Sequence, residues 1–141
     1  MNVDDRRFLD TNVLVYLFDR SSPKKQARAR EIVEEYGGRD SLVISTQVLQ
    51  EFYVTVTRKL AVPLALEEAE QALRGLTALA IVEVETDLVL DAAARSRKHK
   101  LSFWDALIVE AALVADCRAL LTEDMQDGRE FRPLRVENPF L

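Results

Sequence analysis

RFLDTNVLVY, residues 7–16, decides the fold. Arg7 to Asp10 read as a short strand, and a helical stretch follows at once from Thr11 to about Asp19. A strand that ends on an acid and turns straight into a helix opens a βα unit, and the same alternation repeats along the chain. Pro23 opens a second helix that stops at Gly37–Gly38, proline inside the start and glycine past the end. Residues 42–45 read as a strand, and 46–60 as a helix with Val48, Leu49, Phe52 and Val56 on one face. Further helices are predicted over 66–79, 87–100 and 103–116, with strands over 81–84, 119–122 and, short and last, 134–136. Strands that alternate with helices build a mostly parallel sheet covered on both faces. The expectation is an α/β fold, a three-layer α/β/α sandwich on four to five strands.

The chain has 141 residues and neither internal repeat nor linker, which predicts a single domain over 1–141. Hydrophobic residues make up 48% and charged ones 30%, the balance of a folded globular chain rather than a disordered one. A net charge of −5 excludes the strongly basic footprint of many nucleic-acid binders. It leaves room for a nucleic-acid enzyme, because a site built of carboxylates is itself acidic. Cys117 is the single cysteine, so it has neither disulfide partner nor zinc partner and is expected buried in a reducing compartment. The amino-terminal MNVDDRR lacks the apolar stretch of a signal peptide. The most apolar stretch, 101–115, is broken by Asp105 and Glu110 and is too short for a bilayer. A cytoplasmic protein without a membrane span is expected.

In open α/β sheets, ligands bind beyond the carboxyl ends of the strands. Acids stand there. Asp10 ends the first strand, Glu51 rides the helix after the second, Asp105 opens the helix before the fourth, and Asp124 follows it, with Asp127 one turn on. Each has a plainer explanation taken singly. Asp10 suits a helix N-cap, Ser102-x-x-Asp105 has the form of a capping box, Thr122 or Asp124 could cap a short helix, and Glu51 could be solvated. Together they would repel one another unless a cation neutralised them. A hard divalent ion with oxygen ligands does so, and it brings phosphoryl chemistry by acidifying a bound water and polarising phosphate.

FLDTNVLVY, the mid-helix acid in QVLQEF, SFWDALIVEAA and LLTEDMQDG, in that order, resemble the four motifs of PIN-domain nucleases, and most closely those of VapC-type toxins. The resemblance runs from Arg7 to about Val136. It implies a metal-dependent endoribonuclease with one or two Mg²⁺ or Mn²⁺ ions held by Asp10, Asp105 and Asp124. Glu51 would bind a second ion or orient the attacking water, and Asn12 and Thr122 would shape the site. Family members often carry asparagine where Asp124 stands and a further acid beyond it, so Asp127 is the alternative ligand. The resemblance also implies an RNA substrate, an antitoxin partner whose tail blocks the site, and homodimerisation through helices.

Arg95, Arg97, Lys98 and Lys100 form the densest basic run, read either as a solvated helix end or as a phosphate-contacting rim that Arg58 and Lys59 extend. His99 lies outside the acid motifs. Trp104 could stack on a base, but beside an apolar helix start packing is the expectation, as for Phe52 and Tyr53. The amphipathic stretch 21–39, with the long helix after it, could groove a partner segment. Three other functions compete. A phosphohydrolase would want Asp-x-Asp, and Asp10-Thr11-Asn12 has an amide instead. An inert binding module would have lost acids, yet all four positions are filled. A receiver-like domain would need a lysine after a late strand, and the last lysine is Lys100.

Overall fold

The computed structural model describes residues 6–37 and 40–141; most of the charged amino-terminal stretch and Gly38 lie outside them. The elements run β1 (Arg7–Leu9), α1 (Thr11–Tyr16), α2 (Pro23–Tyr36), β2 (Leu42–Ser45), α3 (Thr46–Arg58), α4 (Leu66–Leu76) and β3 (Ala80–Val82). Then come α5 (Thr86–His99), α6 (Phe103–Val114), β4 (Ala119–Leu121), β5 (Glu130–Phe131) and β6 (Leu134–Glu137).

The strands form one sheet in the order β3-β2-β1-β4-β6-β5, parallel throughout except for the β5–β6 pair. Buried parallel strands read as continuous apolar runs. Leu42, Val43 and Ile44 of β2 are accordingly buried, as are Phe8 and Leu9 of β1 and the whole of β4. The chain leaves β1 toward β2 and β3, then returns through α5 and α6 to lay β4 on the other flank of β1. Right-handed crossovers in opposite directions put the helices on opposite faces. The packing follows that division: α1 with α2 and α3, α3 with α4, and α5 with α6. Between β1 and β4 the strand order reverses, and there the carboxyl ends open a crevice.

Sequence patterns also set the helix boundaries. Ser45 and Ser102 cap α3 and α6, their hydroxyls accepting from the amides of Val48 and Asp105 at 3.3 and 3.1 Å. α3 buries Val48, Phe52 and Val56, a 3.6-period stripe that anchors it to the sheet. α6 is buried on most sides, from Ala106 to Val109 and at Ala111 and Ala112, which explains its near-continuous apolar sequence. Cys117 is buried and unpaired, with its thiol pushed up to about 12 chiefly by burial. Among the described residues, no helix is long and apolar enough to cross a membrane.

Among the described residues the sheet has six strands rather than the four to five expected. The additional strand is the two-residue β5, too short to show alternation. It turns back into β6 through Arg132-Pro133, without the Asn-Gly or Asp-Gly signal of a tight hairpin. α1 stops at Tyr16 instead of about Asp19, because Leu17, Phe18 and Asp19 tighten into bonds three residues back, to Leu14, Val15 and Tyr16.

Candidate active site

Asp10 is the first residue beyond β1 and the N-cap of α1. One carboxylate oxygen accepts from the Thr11 amide at 2.7 Å and the other from the Thr122 hydroxyl at 2.8 Å. Thr122, the first residue beyond β4, is fully buried. Its hydroxyl oxygen accepts in turn from the Asp124 amide at 3.1 Å and from the Asn12 side-chain amide at 3.3 Å. Asn12 donates as well to the Asp124 carboxylate at 2.9 Å. The Asp10 amide donates to the Leu121 carbonyl at 3.0 Å, so the ends of the two central strands are joined by backbone and side chain together.

The third arm comes from α3. Glu51 accepts from the Thr11 hydroxyl at 2.8 Å, and its other oxygen lies 3.4 Å from the Gln47 amide one turn earlier. Gln47 also donates to the Trp104 carbonyl at 3.2 Å, which ties α3 to the first turn of α6 next to Asp105. Capping and clustering therefore coexist: Asp10 and the Ser102–Asp105 turn cap their helices while the same carboxyls face one crevice.

Electrostatics reports the convergence. Burial pushes the Asp10 carboxyl from 3.8 up to about 6, with the Thr122 and Thr11 hydrogen bonds opposing and the charges of Asp124 and Glu51 adding to the rise. Burial also raises Asp105; a hydrogen bond with Ser102 opposes, and the same two acids, Asp124 and Glu51, add. A cation would relieve all of these. The donor set is hard oxygen throughout, and among the described residues the buried Oδ1 of Asn12 and Oε1 of Gln47 have no hydrogen-bond partner. Among the described residues, no three acids close tightly enough to hold an ion by themselves.

The structure thus brings Asp10, Asn12, Glu51, Thr122 and Asp124 into one bonded cluster, with Asp105 within their field. Asp127 is directed elsewhere: its carboxylate accepts from the Asn138 amide at 2.8 Å. Arg95 is engaged by Glu110 and lies 5.8 Å from the Phe131 ring, which leaves Arg97, Lys98 and Lys100 as the exposed cations of that run. His99 sits edge-on to Phe131. Trp104 departs from the packing expected of it. It is 62% exposed, because α6 buries the faces that follow Asp105 and leaves its second residue outward. Phe52 is buried and Tyr53 half-buried against the core.

Sequence reasoning gave no role to Thr11 or Gln47, although Gln47 stands one helical turn before Glu51. It also missed a second cluster. Lys25 of α2 donates to Glu123 and to the Tyr16 hydroxyl at 2.8 and 3.0 Å, and the Tyr16 hydroxyl bonds Glu123. Lys25 is raised chiefly by Glu123 and then by Tyr16. No local pattern could have found a bond between residues 98 positions apart. A cleft of about 570 Å³ runs from Asn12, Glu51 and Asp124 between α1 and α3 as far as Lys59.

A model of the PIN domain family matches residues 7–126, from the first strand through every acid of the cluster. The chain belongs to the PIN domain family. Three solved structures share the fold of this PIN domain. A toxin–antitoxin complex from Klebsiella pneumoniae has 21% identity and a TM-score of 0.70, covering 94% of this chain and 97% of that one. A DNA-bound VapBC from Salmonella typhimurium has 19% identity and a TM-score of 0.67, covering 95% and 98%. VapC20 of Mycobacterium tuberculosis, a sarcin–ricin loop cleaving toxin, has 18% identity and a TM-score of 0.64, covering 81% and 86%. No curated protein matches this PIN domain in sequence.

Proposed function

We propose that this PIN domain is a metal-dependent endoribonuclease and the toxin half of a toxin–antitoxin pair. The observation that carries the proposal is the meeting of Asp10, Glu51, Asp105 and Asp124, drawn from four parts of the chain, at the crevice between β1 and β4. Asp10, Asp105 and Asp124 would hold one or two Mg²⁺ or Mn²⁺ ions. A divalent ion bound there acidifies water and offsets charge on the phosphate. Thr122 and the Thr11 amide fix both oxygens of Asp10, so its carboxylate is oriented before substrate arrives. Asn12 holds one oxygen of Asp124. Thr11 and Gln47 hold Glu51, which orients the attacking water. Hydrolysis forms one bond from the water oxygen to phosphorus and breaks the bond to the 3′-oxygen. The products are a 5′-phosphate and a 3′-hydroxyl, with the water proton passing to the leaving oxygen.

A toxin role and an antitoxin partner draw support from the company the fold keeps, namely a toxin–antitoxin complex and VapBC, while a homodimer rests on the resemblance of the four motifs alone. RNA as substrate draws it from VapC20, described as cleaving the sarcin–ricin loop. The test is incubation with total bacterial RNA in Mg²⁺ or Mn²⁺, with and without EDTA, beside the Asp10→Asn/Asp105→Asn double variant. Discrete cuts bearing 5′-phosphate ends, lost in EDTA and in the variant, are expected. Undiminished cleavage by the variant would remove these acids from the mechanism.

A further inference from the structure

The cleft between α1 and α3 begins at the acids and ends at a cation. Past Asn12, Glu51 and Asp124, its walls are Val15 and Tyr16 from α1, Asp19 just beyond α1, and Gln50, Val54 and Thr55 from α3, with Lys59 at the C-cap of α3. One carboxylate oxygen of Asp19 accepts from both the amide and the hydroxyl of Ser21. Three features set it apart from an incidental surface groove. Val54 is 43% exposed although it stands on a helix with a well-buried opposite face, so an apolar patch is left open beside a polar site. The Tyr16 hydroxyl is tied to both Lys25 and Glu123, and the Phe140 ring meets the Tyr16 ring edge-on at 5.0 Å, so this aromatic wall is immobilised before any ligand arrives. Lys59 is exposed and, among the described residues, forms no ion pair.

An aromatic wall, an aliphatic side chain, neutral hydrogen-bonding groups and one unpaired cation beside the acid cluster match the parts of one nucleotide, with the Asp19 carboxylate taken up by Ser21. We infer that this cleft seats the nucleotide next to the scissile phosphate. Its base lies against Tyr16, Val15 and Val54, its polar edge meets Gln50 and Thr55, and the following phosphate pairs with Lys59. The inference rests on the proposed nuclease reading and adds the residues that grip the substrate beside the cut. An extruded base fits such a trough, whereas a base stacked within a duplex does not reach it.

The test measures binding, so that it stands apart from catalysis. Labelled unstructured oligoribonucleotide is titrated against the Asp10→Asn protein in Mg²⁺ at several salt concentrations, then against the same protein carrying Lys59→Gln or Val54→Trp. Loss of one phosphate contact should flatten the slope of log affinity against log salt by about 0.7. Filling the cleft with Val54→Trp should weaken binding about ten-fold, the worth of one stacked base. Unchanged helical circular dichroism and thermal midpoint show that the variants fold. Equal slope in Lys59→Gln, or equal affinity in Val54→Trp, overturns the cleft assignment even if the wild type cleaves RNA. Slope and affinity changes as expected, from a wild type that cleaves nothing, leave the cleft standing and defeat the nuclease reading.

Discussion

Asp10→Asn should make the metal-free protein more stable while abolishing its function. The Asp10 carboxyl is 6% exposed and titrates near 6 instead of 3.8, chiefly because burial disfavours its charged form. In the folded state the proton is held more tightly than in the unfolded chain, so stability falls as pH rises from about 4 to about 6. Each pH unit in that window costs about 1.4 kcal/mol, so the ionised carboxylate destabilises the metal-free fold by about 3 kcal/mol at neutral pH. Asparagine keeps the shape and its oxygen accepts from the Thr11 amide, but it loses the bond to Thr122, whose hydroxyl oxygen already accepts from the Asp124 amide and the Asn12 side chain. Allowing about 1 kcal/mol for that loss leaves a gain of about 2 kcal/mol. In a domain of this size that is about 6 °C in thermal midpoint. Urea and thermal unfolding in EDTA, at pH 7 and pH 4, read it directly. The variant should be the more stable protein at pH 7 and lose that advantage at pH 4, where the wild-type Asp10 is protonated in the folded state and only the weakened hydrogen bonding of the asparagine remains. A variant less stable than wild type at pH 7, or one that keeps its advantage at pH 4, would refute the account of Asp10 as a charge held at a cost.

Adding Mg²⁺ should reverse that order. An ion at a hundred times its dissociation constant stabilises the wild type by about 2.7 kcal/mol, and the Asp10→Asn midpoint should move much less on the same titration. Thr122→Val removes a buried donor from Asp10 and should cost about 2 kcal/mol at pH 7 but less at pH 4, as seen by urea unfolding. Cys117, buried and with its thiol raised to about 12, should resist thiol reagents at pH 8 in the native protein and react once urea unfolds it.

Much of the fold could be read from the chain because short-range rules govern it. Residues 42–45 were bounded as the structure has them, since an apolar run ends there on a serine that caps the next helix. The acids stood out because a doubly covered sheet places its crevice where Asp10 and Thr122 leave the central strands. What escaped was long-range or side-specific. The β5 hairpin is held by two paired positions and carries no turn signature. Trp104 shares a helix with buried neighbours, and only the direction in which α6 leans decides that it faces outward. Lys25, Tyr16 and Glu123 meet because α2 folds back over the end of β4, a contact that local periodicity does not encode.

α3 serves two masters along opposite sides. Val48, Phe52 and Val56 face inward and admit little change, since each is packed into the core without room for a larger or smaller neighbour. Gln50, Val54 and Lys59 face outward along the cleft, where substitutions usually alter stability by less than about 0.5 kcal/mol. Glu51 sits on the seam between these sides. A lineage could therefore rewrite what the cleft prefers, one exposed residue at a time, and keep the same scaffold and the same acids beneath it.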